Sequence, residues 1–124
     1  MSKCLLIAED DEDNRDLMIF MIERSKLDLR LVVAENGAEA VQLAKLELPD
    51  LILMDMQMPV MDGYEAVKKI KGDSLTRSIP IIAFTAQARS EDRELTRSIG
   101  CAEHYTKPMD PEELLKLIRK FTNL

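Results

Sequence analysis

Asp55 closes a run of four apolar residues, Leu51-Ile52-Leu53-Met54, and is followed by Pro59 and by an Asp62-Gly63 pair that opens a helix. An apolar run without polar alternation suits a strand covered on both faces, as strands of a parallel sheet are. Ligand chemistry in such sheets sits at the strands' carboxyl ends, which makes Asp55 the first candidate for a reacting or metal-binding group. Capping the next turn is the other task open to a carboxylate there, and Asp62, followed by Gly63 and Glu65, fits that task better. A second apolar run, Cys4 to Ala8, ends on five consecutive acids, Glu9 to Asp13. Asp11 or Asp13 can cap the helix that follows, but Glu9 and Asp10 come too early for that. Two apolar runs thus deliver three carboxylates, Glu9, Asp10 and Asp55, to one edge of a sheet. Two further runs end on Thr85 and Lys107 at the same edge.

The elements that must position these residues alternate along the chain. After the acids, Leu17, Met18, Met21 and Ile22 are spaced for one helix face. Leu29 to Ala34 reads as a strand, and Asn36-Gly37-Ala38-Glu39 opens a helix with Asn36 as its cap. Ala40, Val41, Leu43, Ala44 and Leu46 have helical spacing, which outweighs a hairpin at Asn-Gly. Asp62 to Lys71 is a helix with Tyr64, Val67 and Ile70 inward, ended by Gly72-Asp73-Ser74. Pro80 admits the strand Ile81 to Phe84. Ser90 to Ile99 is a polar helix with few large apolar residues, expected to be weakly held. Gly100 stops it, Ala102 to Thr106 is a short strand, and Asp110-Pro111-Glu112-Glu113 caps a last helix that buries Leu114, Leu117, Ile118 and Phe121. Five strands alternating with five helices predict an α/β open parallel sheet covered on both sides.

Length and composition bound the function. The 124 residues suit one domain spanning residues 1–124, and 46% hydrophobic residues indicate a packed globule. A net charge of -6 argues against direct nucleic-acid binding, which needs a basic face. The apolar run near the N-terminus is too short for a signal peptide or membrane span, so a cytoplasmic protein without membrane insertion is expected. Cys4 and Cys101 lack metal-ligand or Cys-x-x-Cys spacing and read as small buried hydrophobes.

The ordered set Glu9-Asp10, Asp55 in Met54-Asp55-Met56-Gln57-Met58-Pro59, Asp62-Gly63, Thr85-Ala86 and Tyr105-x-Lys107-Pro108 resembles the response-regulator receiver domains of two-component signalling. The resemblance covers essentially the whole chain and is closest in kind to stand-alone, chemotaxis-type regulators. It implies a flavodoxin-like sheet of strand order 2-1-3-4-5. It further implies phosphoryl transfer from a phosphohistidine donor to Asp55, with Mg²⁺ or Mn²⁺ bound by Asp10, Asp55 and the backbone carbonyl of Gln57, and by Glu9 through water. Hard oxygen ligands select those ions. A carboxylate attacking an anionic donor needs such a charge to screen it. Lys107 would place fixed positive charge on the phosphoryl oxygens, and Thr85 a hydroxyl donor. A cis Lys107-Pro108 bond would aim the amine inward. Thr85 and Tyr105 would form the switch, with Tyr105 beneath the Ser90 to Ile99 helix, and Gln57 and Gln87 would tune hydrolysis.

The partners so implied are a histidine kinase or histidine phosphotransfer protein upstream and a protein effector downstream, since no output domain follows Leu124. The alternative is a relay intermediate that passes phosphate onward. In either case the protein catalyses only its own phosphorylation and dephosphorylation and is not otherwise an enzyme. A haloacid dehalogenase-type phosphatase would want an acid two residues after Asp55, where Gln57 stands. A dinucleotide-binding domain would need a glycine-rich first loop in place of this acidic one. His104 is expected to be exposed and without catalytic role. Met54 reads as core filler, and Met58 and Met61 as a docking surface. With strands 1 and 5 three spacings apart, about 14 Å at roughly 4.8 Å each, Cys4 and Cys101 should not form a disulfide.

Overall fold

The apolar runs form the strands Lys3–Ala8 (β1), Leu29–Ala34 (β2), Leu51–Asp55 (β3), Ile81–Thr85 (β4) and Glu103–Thr106 (β5). Between and after them lie the helices Glu12–Arg24 (α1), Gly37–Glu47 (α2), Gly63–Lys71 (α3), Ser90–Ser98 (α4) and Pro111–Thr122 (α5). The structure is a computed structural model that describes residues 2–86, 89–107 and 110–124. All strand pairs are parallel, and their spatial order is β2-β1-β3-β4-β5, as expected. Among the described residues no helix is long and apolar enough to cross a membrane.

The central strands explain why their sequences do not alternate. Leu5, Ile7, Leu51, Leu53, Ile82 and Phe84 pack with Met18, Ile22, Leu114 and Ile118 of α1 and α5. Their neighbours in sequence, Leu6, Ala8, Ile52, Met54, Ile81 and Ala83, pack on the other face with Ala40, Ala44, Ala66, Val67 and Ile70 of α2 and α3. Successive side chains point to opposite faces and both faces are covered, so every position is apolar. Burial of each large side chain stabilises the fold by about 1.5–3 kcal/mol. Cys4 and Cys101 are buried free thiols.

Caps set the helix starts next to the sheet edge. Asp11, Asn36 and Asp62 accept from the backbone N–H groups of Asn14, Glu39 and Glu65 at 3.0, 2.8 and 2.9 Å. Asp110 departs from expectation. It stands at the N-cap of α5 without a side-chain cap bond, and its own N–H donates to the Tyr105 hydroxyl at 3.0 Å. Leu17 and Leu46 fall outside the buried stripes, at 51% and 76% exposed. Met58 is buried in the α2–α3 core and is no docking surface; Val60, 85% exposed, projects to solvent from that loop beside the exposed Gln57 and Pro59. The loop turns sharply there, with Val60 at φ 68° and the Met61 N–H donating to the Pro59 carbonyl at 2.7 Å.

Candidate functional site

Strand register decides which side chains meet. Ala8 pairs with Met54, Asp55 with Phe84 and Thr85 with Thr106, so the residues that end β1, β3, β4 and β5 share one edge. Glu9, Asp10 and Asp55 each offer a carboxylate oxygen, and these lie within 4.8 Å of one another. Lys107 reaches in from the end of β5. Its Nζ donates to Glu9 Oε1 at 3.1 Å and to Asp55 Oδ2 at 3.4 Å. The other Asp55 oxygen, Oδ1, accepts the Gln57 N–H at 3.0 Å, which fixes the carboxylate plane.

Burial makes this cluster electrostatically costly. Glu9 is 1% exposed and Asp55 5%, while Asp10 faces solvent. Desolvation pushes the Glu9 carboxyl up to about 8, assisted by its hydrogen bond with Asp55 and that group's charge and opposed by Lys107. Burial alone would lower Lys107, but the charges of Asp55 and Glu9 outweigh it and its pKa is raised. Glu9 Oε2 is buried, and among the described residues no N–H group reaches it. An orphaned acid oxygen beside two more carboxylates fits a hard dication, whose preferred donors are oxygens of this kind. Beneath the cluster, among Ala8, Met18 and Phe84, only about 10 Å³ is open.

Thr85 is buried at the end of β4, and its carbonyl accepts the Lys107 N–H at 2.9 Å. Tyr105 does not lie beneath α4. Its ring lies against Phe84 at a tilt of 51°, with centroids 5.4 Å apart, and packs with the α1–α5 core. Alternation along β5 gives the opposite face to His104. His104 is half-buried rather than exposed, with Nδ1 3.1 Å from Thr96 Oγ1 of α4. Gln87 and the Lys107-Pro108 bond lie outside the described residues. Arg15, which no sequence pattern singles out, donates to the Glu9 carbonyl at 3.1 Å and so braces the acidic loop.

Comparison with known proteins agrees with this geometry. Residues 5–119 match the family model described as the response regulator receiver domain. The polar-differentiation response regulator DivK of Brucella anthropi is 39% identical over 121 residues, covering 98% of this chain and 97% of that protein. The receiver domain of the sensor histidine kinase PA1611 from Pseudomonas aeruginosa, solved with magnesium coordinated in its active site cleft, superposes with a TM-score of 0.89 at 31% identity over 100% of both chains. Vibrio cholerae chemotaxis protein CheY4 gives 0.87 at 26% identity, covering 98% of this chain and 99% of that one. Five parallel strands in this order, three acids and a lysine converging at their carboxyl edge, and a family match over nearly the full length lead to one conclusion: the chain belongs to the response regulator receiver domain family.

Proposed function

We propose that the chain acts as one receiver domain of a response regulator, spanning residues 1–124, in which Asp55 accepts a phosphoryl group from a phosphohistidine and thereby switches a protein-contact face. The observation that carries this reading is the reach of Lys107 Nζ to both Asp55 Oδ2 and Glu9 Oε1, at 3.4 and 3.1 Å, beside the orphaned Glu9 oxygen. Asp10, Asp55 and the Gln57 carbonyl would hold Mg²⁺ or Mn²⁺, with Glu9 linked through water. Once bound, the ion supplies positive charge that screens the donor's anionic oxygens from the carboxylates.

The remaining work falls to the chain's own groups. An Asp55 carboxylate oxygen forms a bond to phosphorus as the bond from phosphorus to the donor's imidazole nitrogen breaks, and the imidazole leaves with that electron pair. The Gln57 N–H holds Asp55 in one orientation, and burial leaves its carboxylate few competing water contacts. Lys107 gives up its hold on Asp55 to meet the incoming phosphoryl oxygens, where charge builds up in transfer. Thr85 offers a hydroxyl to the same oxygens. Gln57 tunes later hydrolysis, as does Gln87. The partners in this scheme are a histidine kinase or phosphotransfer protein and a cytoplasmic protein effector, and catalysis is limited to the protein's own phosphorylation and dephosphorylation. The test is labelling by a small phosphoryl donor such as phosphoramidate with Mg²⁺: wild type gains one phosphoryl group and Asp55→Asn none. Undiminished labelling of Asp55→Asn overturns the assignment.

A further inference from the structure

One short segment touches both loops that carry the acids. Residues 34–37, from the last residue of β2 to the first of α2, contribute no group to the acidic cluster. On one side the Ala34 carbonyl accepts the Glu9 N–H at 3.0 Å. Arg15, which holds the Glu9 carbonyl, also lies 3.5 Å from Glu35 Oε1. On the other side the Gly37 N–H donates to the Met61 carbonyl at 2.9 Å. The first N–H groups of a helix lack partners within it. Asn36 satisfies that of Glu39, and the loop after Asp55 satisfies that of Gly37.

Position 37 admits no side chain. A Cβ there would overlap the Met61 carbonyl oxygen and stand 2.8 Å from its carbon and 3.0 Å from the Asp62 oxygen. These are backbone atoms and cannot rotate away. The other end of the same loop is equally tight: the Gly63 N–H donates to the Met56 carbonyl at 3.2 Å, and a Cβ on Gly63 would stand 2.5 Å from the Asp55 carbonyl oxygen. The loop from Met56 to Asp62 is therefore clasped at Gly63 and pressed at Met61 by Gly37.

We infer that the 34–37 segment is a positioning strut for the metal site, that its hydrogen bonds to Glu9 and Met61 fix the separation of the two acid-bearing loops, and that Gly37 is its critical positioning residue. The inference rests on the receiver reading above and adds a residue that touches neither metal nor phosphoryl group. Gly37→Ala must move α2 and the Asp55 loop apart by an ångström or more, spreading the Gln57 and Asp55 oxygens relative to Glu9 and Asp10.

The experiment compares Mg²⁺ affinity, by calorimetry, in wild type, Gly37→Ala and Ile118→Val. Ile118 lies in the opposite core, so its variant loses stability without reaching the strut. Gly37→Ala should bind Mg²⁺ about tenfold more weakly, as loss of supporting contacts around metal ligands does, while Ile118→Val keeps wild-type affinity. Should Gly37→Ala fail to fold, the wild type itself supplies the test. Exchange of the Gly37 amide proton should slow by a larger factor than that of Ile118 when Mg²⁺ binds, the Ile118 amide reporting the general gain in stability. Wild type that does not bind Mg²⁺ overturns the metal reading and the strut with it. Wild type that binds, with Gly37→Ala binding equally well or with Gly37 exchange slowing no more than that of Ile118, overturns the strut alone.

Discussion

Glu9 shows how a single residue can carry conflicting demands. Three carboxylates about 5 Å apart repel by roughly 3 kcal/mol per pair at an effective dielectric near 20, and Glu9 answers by holding its proton up to about pH 8 in the metal-free protein. Its folded pKa lies above the ordinary value of 4.5, so the folded state binds more protons than the unfolded one between those limits. Stability of the metal-free protein should therefore fall as pH rises from 4.5 to 8. Glu9→Gln should flatten that slope, a result thermal unfolding across the pH range will read directly. The same unfolding measured at pH 8 should show Asp55→Asn more stable than wild type without metal. Each kcal/mol regained raises Tm by roughly 4 °C for a chain of this size.

At the scale of elements, α4 stands apart. Its buried positions are Asp92 and Thr96, its N-cap residue Arg89 makes no side-chain cap bond, and Leu95 is 45% exposed. The α3 helix, by contrast, buries Ala66, Val67 and Ile70 behind the Asp62 cap. Amide exchange should thus be fastest in α4 among the helices, and equal protection of α3 and α4 would contradict this. Thr85 ends the strand next to β5, whose His104 meets α4 and whose Tyr105 meets α5. Thr85→Ala should keep phosphoryl labelling but lose most of the NMR shift changes that a phosphoryl mimic induces across Ser90–Ser98 and Glu103–Thr106. A hydrogen bond to a charged oxygen is worth roughly 1.5–3 kcal/mol, enough to shift such an equilibrium about ten- to a hundredfold. Shifts confined to the Asp55 loop in wild type would refute that coupling.

Local pattern carried much of this arrangement. Apolar runs ending on acids located β1 and β3, and Asp11, Asn36 and Asp62 cap as their neighbours suggest. What local pattern lacked was contact between distant segments. Asp110 sits where a cap belongs, but its N–H meets the Tyr105 hydroxyl, a contact made by the return of the chain from β5. Met58 looks like surface beside a proline, yet α2 and α3 enclose it. His104 and Tyr105 differ by one position, and only the docked sheet shows which of them faces α4. Gly37 reads as the start of a helix, and its closeness to Met61 is a tertiary fact.

For the whole molecule, a dication that binds only the folded state should add to its stability. At ten times the dissociation constant the gain is about 1.4 kcal/mol, so saturating Mg²⁺ should raise Tm by several degrees and Asp10→Asn should abolish the rise. Native protein should also resist thiol reagents, because Cys4 and Cys101 are buried and desolvation pushes Cys101 up to about 11. A crosslink between the two cysteines in folded, non-reduced protein would contradict the observed strand order.

The Lys107 bridge also bears on the order in which the chain is made. Its amine belongs to a residue 98 positions after Glu9 and 52 after Asp55. A ribosome adding about 5–20 residues per second emits Lys107 roughly 3–10 s after Asp55. During that interval β1, β2 and β3 are available to pair, and Glu9 and Asp55 have no lysine to answer them. The nascent half-sheet must then hold its acids with a proton or a captured cation. Translation in medium starved of divalent ions should consequently delay the nascent chain's first protease-resistant fragment.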